Sequence, residues 1–186
     1  MKYIALLTTS HSPSPRTRSF IKDLASCLPG ILRVHRGKKT LLQLALEARR
    51  YGARYLLVVG ERKGNPSLIR IYSIGLYFER DSILKHIVSI VIRGVKLSRE
   101  VPGSTRTYNV ERVGVDSREC VSDECFKLAD LFLKIFGSKL DLDKPDVWIV
   151  VSERNNMVKI VFRNRLGHIV GPAISVWRVK FFEGEA

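Results

Sequence analysis

Apolar and polar positions along the chain follow two periods, and each switch between them marks an element. Tyr3 to Thr8 is a short apolar run closed by the turn-forming Thr9-Ser10-His11-Ser12-Pro13-Ser14-Pro15, which predicts a buried strand and a loop. Phe20, Ile21, Leu24, Ala25 and Leu28 recur at helical spacing, so a helix is expected from Pro15, capped by Ser14, to about Cys27, where Pro29-Gly30 stops it. Ile31-Leu32-Arg33-Val34 predicts a second short strand. Thr40 reads as the N-cap of a second helix with Gln43 as its capping-box partner; Leu41, Leu44, Ala45 and Ala48 form the apolar stripe, and Arg49, Arg50 and Gly52 close it. Tyr55 to Val59 is near-continuously apolar, the pattern of a strand covered on both faces. A loop over Gly60 to Pro66 and a strand over Leu68 to Tyr72 complete a β-α-β-α-β-loop-β order.

Beyond that point the pattern is less regular. Ile83 to Ile92 is strand-like, Arg93-Gly94-Val95-Lys96-Leu97-Ser98-Arg99 reads as a basic loop, Pro102 to Thr107 as a polar turn region, and Tyr108 to Val115 as a weak strand. Ser122 caps a third helix with Asp123 and Glu124 in its first turn; Phe126, Ala129, Phe132, Leu133 and Phe136 lie along it and Gly137 ends it. Val147 to Ser152, Asn156 to Arg163 and Ala173 to Phe182 read as strands separated by turns, with Trp148 and Trp177 expected in the core. No Pro- or Ser-rich linker divides the chain, and both parts end in hairpin-like segments, which is compatible with a diverged duplication.

If right-handed crossovers join the first three strands, those strands are parallel and the loops at their C-terminal ends emerge along one edge of the sheet, where open α/β sheets bind ligands. These loops carry Arg16 and Arg18, then the run Arg33-Val34-His35-Arg36-Gly37-Lys38-Lys39-Thr40, then Arg62 and Lys63. The second ends on a helix N-terminus, whose unpaired N–H groups suit an anion. A solvated basic turn before an ordinary helix is the alternative. The candidate site is therefore Arg16, Arg18, Arg33, Arg36, Lys38, Lys39, Arg62 and Lys63. Glu61 is expected to pair locally with Arg62 or Lys63, and otherwise to accept from a base edge or a ribose hydroxyl. Asn65-Pro66 reads as a turn device.

Charge sharpens this picture. The 186 residues include 32 Lys and Arg against 18 Asp and Glu, a net charge of +14 with a pI near 10.0. An excess of this size attracts polyanions, nucleic acid first. An anionic membrane surface is the weaker candidate, because no helix pairs a basic face with a bulky apolar one, and no apolar run reaches the ~18 residues of a membrane span. The apolar start before Thr8-Thr9-Ser10-His11 lacks a convincing cleavage region and is read as a strand, not as a signal peptide. The odd set Cys27, Cys120 and Cys125 suggests reduced thiols and an intracellular, cytoplasmic setting. A lone C-x4-C pair with scattered histidines makes a poor metal site, so neither metal nor cofactor is expected.

An enzyme would need a site that the chain does not spell out. Gly30 and Gly37-Lys38-Lys39-Thr40 resemble a P-loop, but six residues separate the glycines instead of four and Lys39 intervenes before the hydroxyl. His11, His35, His86 and His168 are scattered, and Ser10, Ser12 and Ser14 look like turn and cap residues. A protein-interaction scaffold or a phosphate-processing enzyme is the alternative to RNA binding.

Thr8-Thr9-Ser10, Pro13-Ser14-Pro15-Arg16-Thr17-Arg18-Ser19-Phe20, Lys22-Asp23-Leu24, Arg36-Gly37-Lys38 with Leu41, Glu61-Arg62-Lys63-Gly64-Asn65-Pro66 and the late Gly171-Pro172 closely resemble the Brix-domain proteins of ribosome biogenesis, in their short archaeal form similar to the eukaryotic small-subunit processome factor. The resemblance implies one Brix-like α/β domain over residues 1–186 with two similar halves, 1–80 and 81–186. Each half would resemble the anticodon-binding domain of class II aminoacyl-tRNA synthetases, with helices packed on mixed sheets. It also implies ribosomal RNA or its precursor as ligand, possible contact with ribosome-assembly proteins, and no catalysis, with Arg16, Arg18, Arg36, Lys38, Arg62 and Lys63 in the basic motifs. His11 departs from the basic residue that relatives often carry there.

Overall fold

In the computed structural model, which describes residues 3–75, 83–137 and 145–182, the chain forms β1 (Ala5–Thr9), α1 (Pro15–Cys27), β2 (Ile31–Arg33), α2 (Leu41–Arg50), β3 (Tyr55–Arg62), β4 (Asn65–Ile74) and β5 (Leu84–Lys96). A 3-10 turn at Ser98–Glu100 precedes β6 (Val113–Glu119), α3 (Asp123–Phe136), β7 (Val147–Arg154), β8 (Met157–Asn164) and β9 (Ala173–Phe181). All strands join one mixed sheet in the order β2-β1-β3-β4-β5-β9-β8-β7-β6. The expected boundary at residues 80 and 81 lies outside the described residues.

Consecutive side chains of a strand face opposite sides, and here both sides are used. Leu7, Leu57 and Val59 join the core under α1 and α3, which contribute Phe20, Ile21 and Leu24 from one helix and Leu128, Phe132 and Phe136 from the other. Leu6, Leu56 and Val58 pack instead against Leu44 and Ala48 of α2 on the other face. The unbroken apolar run in β3 is thus the signature of a strand sandwiched between helices. α2 reaches only the far end of β4, where Tyr72 and Ile74 join its cluster; beyond that its face of the sheet is uncovered, and the strands alternate between buried and more exposed positions.

The helix ends are as the sequence dictates. Ser14 accepts from the Thr17 backbone N–H with Pro15 at the first helical position, Thr40 and Gln43 close a capping box, and Ser122 accepts from the Cys125 N–H. Gly171 explains the late Gly-Pro motif: a Cβ there would lie 2.7 Å from Cys27 Sγ and 2.9 Å from the Phe162 ring, so only glycine lets the chain pass between α1 and β8.

Several expectations need correction. The supposed loop over Gly60 to Pro66 is a tight hairpin, because β3 and β4 stay paired out to Arg62 and Asn65 and only Lys63 and Gly64 turn, both at positive φ. Asn65 and Pro66 therefore belong to a strand. β5 continues through Arg93 to Lys96, since it pairs with β9 along this stretch with two irregularities in register. The strand expected at Tyr108 starts at Val113 and extends to Glu119. Trp177, expected in the core, is 76% exposed: Val176 and Val179 both point into the core, and the register shift between them turns Trp177 and Arg178 outward. Cys120 and Cys125, expected as reduced thiols, are joined in a disulfide; the turn between β6 and α3 brings their Cα atoms to 5.5 Å. Cys27 is free and buried.

A strand order repeats across the sheet. β1 lies parallel to β3, which continues antiparallel into β4 and β5; likewise β6 lies parallel to β7, which continues into β8 and β9. The two series meet where β5 pairs antiparallel with β9.

Candidate nucleic-acid interface

β1, β2 and β3 are parallel, so the β1–α1 loop, the β2–α2 loop and the β3–β4 hairpin leave the same edge of the sheet. Their backbones are tied together. Ser10 N–H donates to Val59 O at 2.8 Å, Val34 N–H to Leu7 O at 2.9 Å, and Thr8 Oγ1 to Val34 O at 3.0 Å. Ser14 Oγ reaches Gly64 O at 2.9 Å, and Ser14 N–H donates to Glu61 Oε2 at 2.8 Å. Glu61 thus does not pair with Arg62 or Lys63 as expected. It closes the hairpin onto the start of α1, and the Ser14 N–H bond holds its carboxyl below the usual range.

Arg36 is the centre of this rim. It is 8% exposed although it carries a guanidinium, and its Nε has no hydrogen-bond partner. Burial lowers its pKa. Its Nη2 lies 3.5 Å from His11 Nε2, while His11 Nδ1 lies 2.9 Å from Gly37 O. Both contacts are made if His11 is neutral with its proton on Nδ1, which leaves Nε2 to accept. A buried cation without a carboxylate is costly, and an anion from outside would compensate it. A cleft of about 320 Å³ opens there, with Thr9, Arg18, Arg33, His35 and Arg36 on its walls.

The candidate cations divide into two groups. Arg18, Arg33, Lys38, Arg62 and Lys63 are exposed around the cleft and the hairpin. Arg16 turns the other way: its Nη2 is 2.8 Å from Glu100 Oε2 and 2.9 Å from Val95 O, and its Nη1 pairs with Glu100 Oε1. Lys39 Nζ is 2.7 Å from Glu47 Oε2. These two side chains brace α1 against the end of β5 and the loop against α2. The sequence does not show the partner of Arg16, because Glu100 lies 84 positions away.

Sequence reasoning also missed Glu153. At the end of β7 it accepts from Ser122 N–H at 2.8 Å, as Glu61 does from Ser14, and the following hairpins turn on Lys63-Gly64 and Asn155-Asn156, all four at positive φ. The available signal was the dipeptide Glu-Arg, which ends β3 as Glu61-Arg62 and β7 as Glu153-Arg154. Among the described residues no three His, Cys, Asp or Glu side chains come together to hold a metal ion, and no helix is long and apolar enough to cross a membrane.

No protein-family model matches the chain. Individual proteins do. It is 40% identical over 134 residues to the probable Brix domain-containing ribosomal biogenesis protein of Aeropyrum pernix, covering 72% of each chain. To the protein of the same description from Pyrobaculum aerophilum it is 30% identical over 183 residues, 94% of this chain and 92% of that one. The crystal structure of the probable ribosomal biogenesis protein from Aeropyrum pernix K1 matches with a TM-score of 0.76 at 36% identity, over 95% of this chain and 96% of that one. Mil, an archaeal Imp4-like protein, shares the fold at a TM-score of 0.68 and 22% identity, over 96% of this chain and 99% of that one. With the motifs along its loops and relatives matching over most of its length, the chain belongs to the Brix domain-containing ribosomal biogenesis proteins.

Proposed function

We propose that this protein is a non-catalytic ribosomal-RNA-binding factor of ribosome biogenesis, acting in the cytoplasm, that grips the sugar-phosphate backbone with the rim formed by its first three loops. The observation that carries this reading is Arg36, a buried guanidinium with an unpartnered Nε, ringed by the exposed Arg18, Arg33, Lys38, Arg62 and Lys63. Arg16 and Lys39 hold the rim in shape and are not counted among its contacts. The repeated strand order supports a single domain of two similar halves akin to the anticodon-binding domain of class II synthetases, itself an RNA reader.

Binding led by phosphate contacts releases counterions, so affinity falls steeply with salt, by about 0.9 log units per contact for each decade. At 50 mM salt each contact then contributes about tenfold relative to 1 M. The double variant R62E/K63E, both exposed on the hairpin turn, should retain its fold. It should lose RNA affinity on the order of a hundredfold at 50 mM salt and lower the log–log salt slope by about 2. Fluorescence anisotropy with a pre-ribosomal RNA fragment measures both; an unchanged affinity and slope would remove the reading.

A further inference from the structure

The face of the sheet that α2 leaves bare is a second basic surface. Strands β4, β5, β9 and β8 contain no Asp or Glu at all. Their registers set this face in rows: Arg70 beside the buried Ser89 beside Lys180, then Gly60 beside Leu68, Val91 and Arg178, then Ser175 beside Lys159 and Ser152. Arg93 reaches the same face, with Nη1 at 4.0 Å from Met157 Sδ. His86 lies beside these cations, stacked between Tyr72 and Phe182 at centroid distances of 4.7 and 4.1 Å. Burial first, and then the charges of Arg70 and Lys180, hold its pKa down.

Trp177 stands out on this face. At 76% exposure it presents an indole to solvent, held there by the β9 bulge with Arg178 alongside. Trp148, by contrast, is half-buried and packs over Gly114. An exposed aromatic plane among cations, on four adjacent strands that carry no carboxylate, is the arrangement that holds unpaired nucleotides, because bases stack on the ring and phosphates follow the charge. A protein partner would find an apolar platform with unbalanced positive charge, which suits it less well. The Gly60–Leu68–Val91–Arg178 row also runs into the hairpin that carries Arg62 and Lys63, so this face is continuous with the rim.

We propose that this uncovered sheet face binds an unpaired RNA strand, with Trp177 stacking on a base and Arg70, Arg93, Lys159, Arg178 and Lys180 along the phosphates. The class of ligand follows from the reading above; the surface is a separate one. The test compares a 12-nucleotide oligouridine with a duplex RNA of equal length on the full chain and its W177A, W177F and R62E/K63E variants. Oligouridine should quench tryptophan emission in the parent protein, and this quenching should be lost in W177F. W177A should bind oligouridine about tenfold more weakly, W177F within about twofold of the parent, and both should bind duplex as the parent does. Equal oligouridine affinity for W177A and the parent would overturn the proposal. So would sedimentation showing self-association that W177A abolishes, since a second copy of the chain would then be the occupant. If R62E/K63E binds duplex as the parent does while W177A still loses oligouridine, the rim reading falls and this one stands.

Discussion

The rim at β1–β3 and its counterpart at β6–β7 are built alike and charged in opposite ways. In each, a serine caps a helix, a glutamate from the neighbouring strand end accepts the serine N–H, and a two-residue turn at positive φ follows Glu-Arg. The first helix then opens with Arg16 and Arg18, whereas the third opens with Asp123 and Glu124. Arg62 and Arg154 are both exposed on their hairpins, but Arg154 lies 3.5 Å from Glu119. The second edge also carries the Cys120–Cys125 disulfide where the first has a polar loop. Fold geometry is thus shared, and the surface charge laid over it differs.

The largest expected contrast is in binding. R62E/K63E should cost RNA affinity on the order of a hundredfold at 50 mM salt, while R154E on the matching hairpin should change it less than about twofold. Equal losses measured by anisotropy would erase the distinction between the two edges. Next comes the disulfide, a feature of one edge alone. C120S/C125S should lower stability by about 2 kcal/mol in chemical denaturation, the scale expected for a short closed loop. E61Q and E153Q should each cost about 1 kcal/mol, because each weakens a charge-assisted bond to a helix-capping N–H. Similar losses sharpen the likeness; a loss at only one site breaks it.

The smallest effect concerns pH. Glu100 is held down to about 2 from its ordinary 4.5, chiefly by its hydrogen bonds with Arg16. A carboxylate with a lowered folded-state pKa stabilises above the unfolded value, so this contribution is complete above about pH 4.5 and fades as pH falls toward 2. Both side chains are about one-third exposed, so E100Q should remove less than about 1 kcal/mol. Melting curves for E100Q should accordingly decline less over that window than those of the parent protein.

What the sequence showed depended on whether information was local. Caps at Ser14, Thr40 and Ser122 were legible because cap and helix are adjacent, and the sandwiched β3 was legible because its apolar run is contiguous. The common edge for three loops followed from crossover handedness. What was hidden needed partners far along the chain or a register. Arg16 could not reveal Glu100, the outward turn of Trp177 depends on a bulge against β5, and Cys120 meets Cys125 only because a turn folds between them. The extension of β5 through Arg93-Gly94 is hidden because these residues resemble a loop and join the sheet only by pairing with β9 across a bulge. The eight basic candidates are all in the sequence, yet only the fold separates the exposed ones from the buried Arg36 and the paired Arg16 and Lys39.

The ladder between β5 and β9 has a mechanical consequence. Because backbone hydrogen bonds, and not a tether, join the two strand series, neither can swing relative to the other without breaking that ladder from Val88–Phe181 to Lys96–Ala173. The span from the Lys63 turn to the Asn155 turn is therefore a fixed length, and a partner touching both ends must conform to the protein as to a rigid gauge.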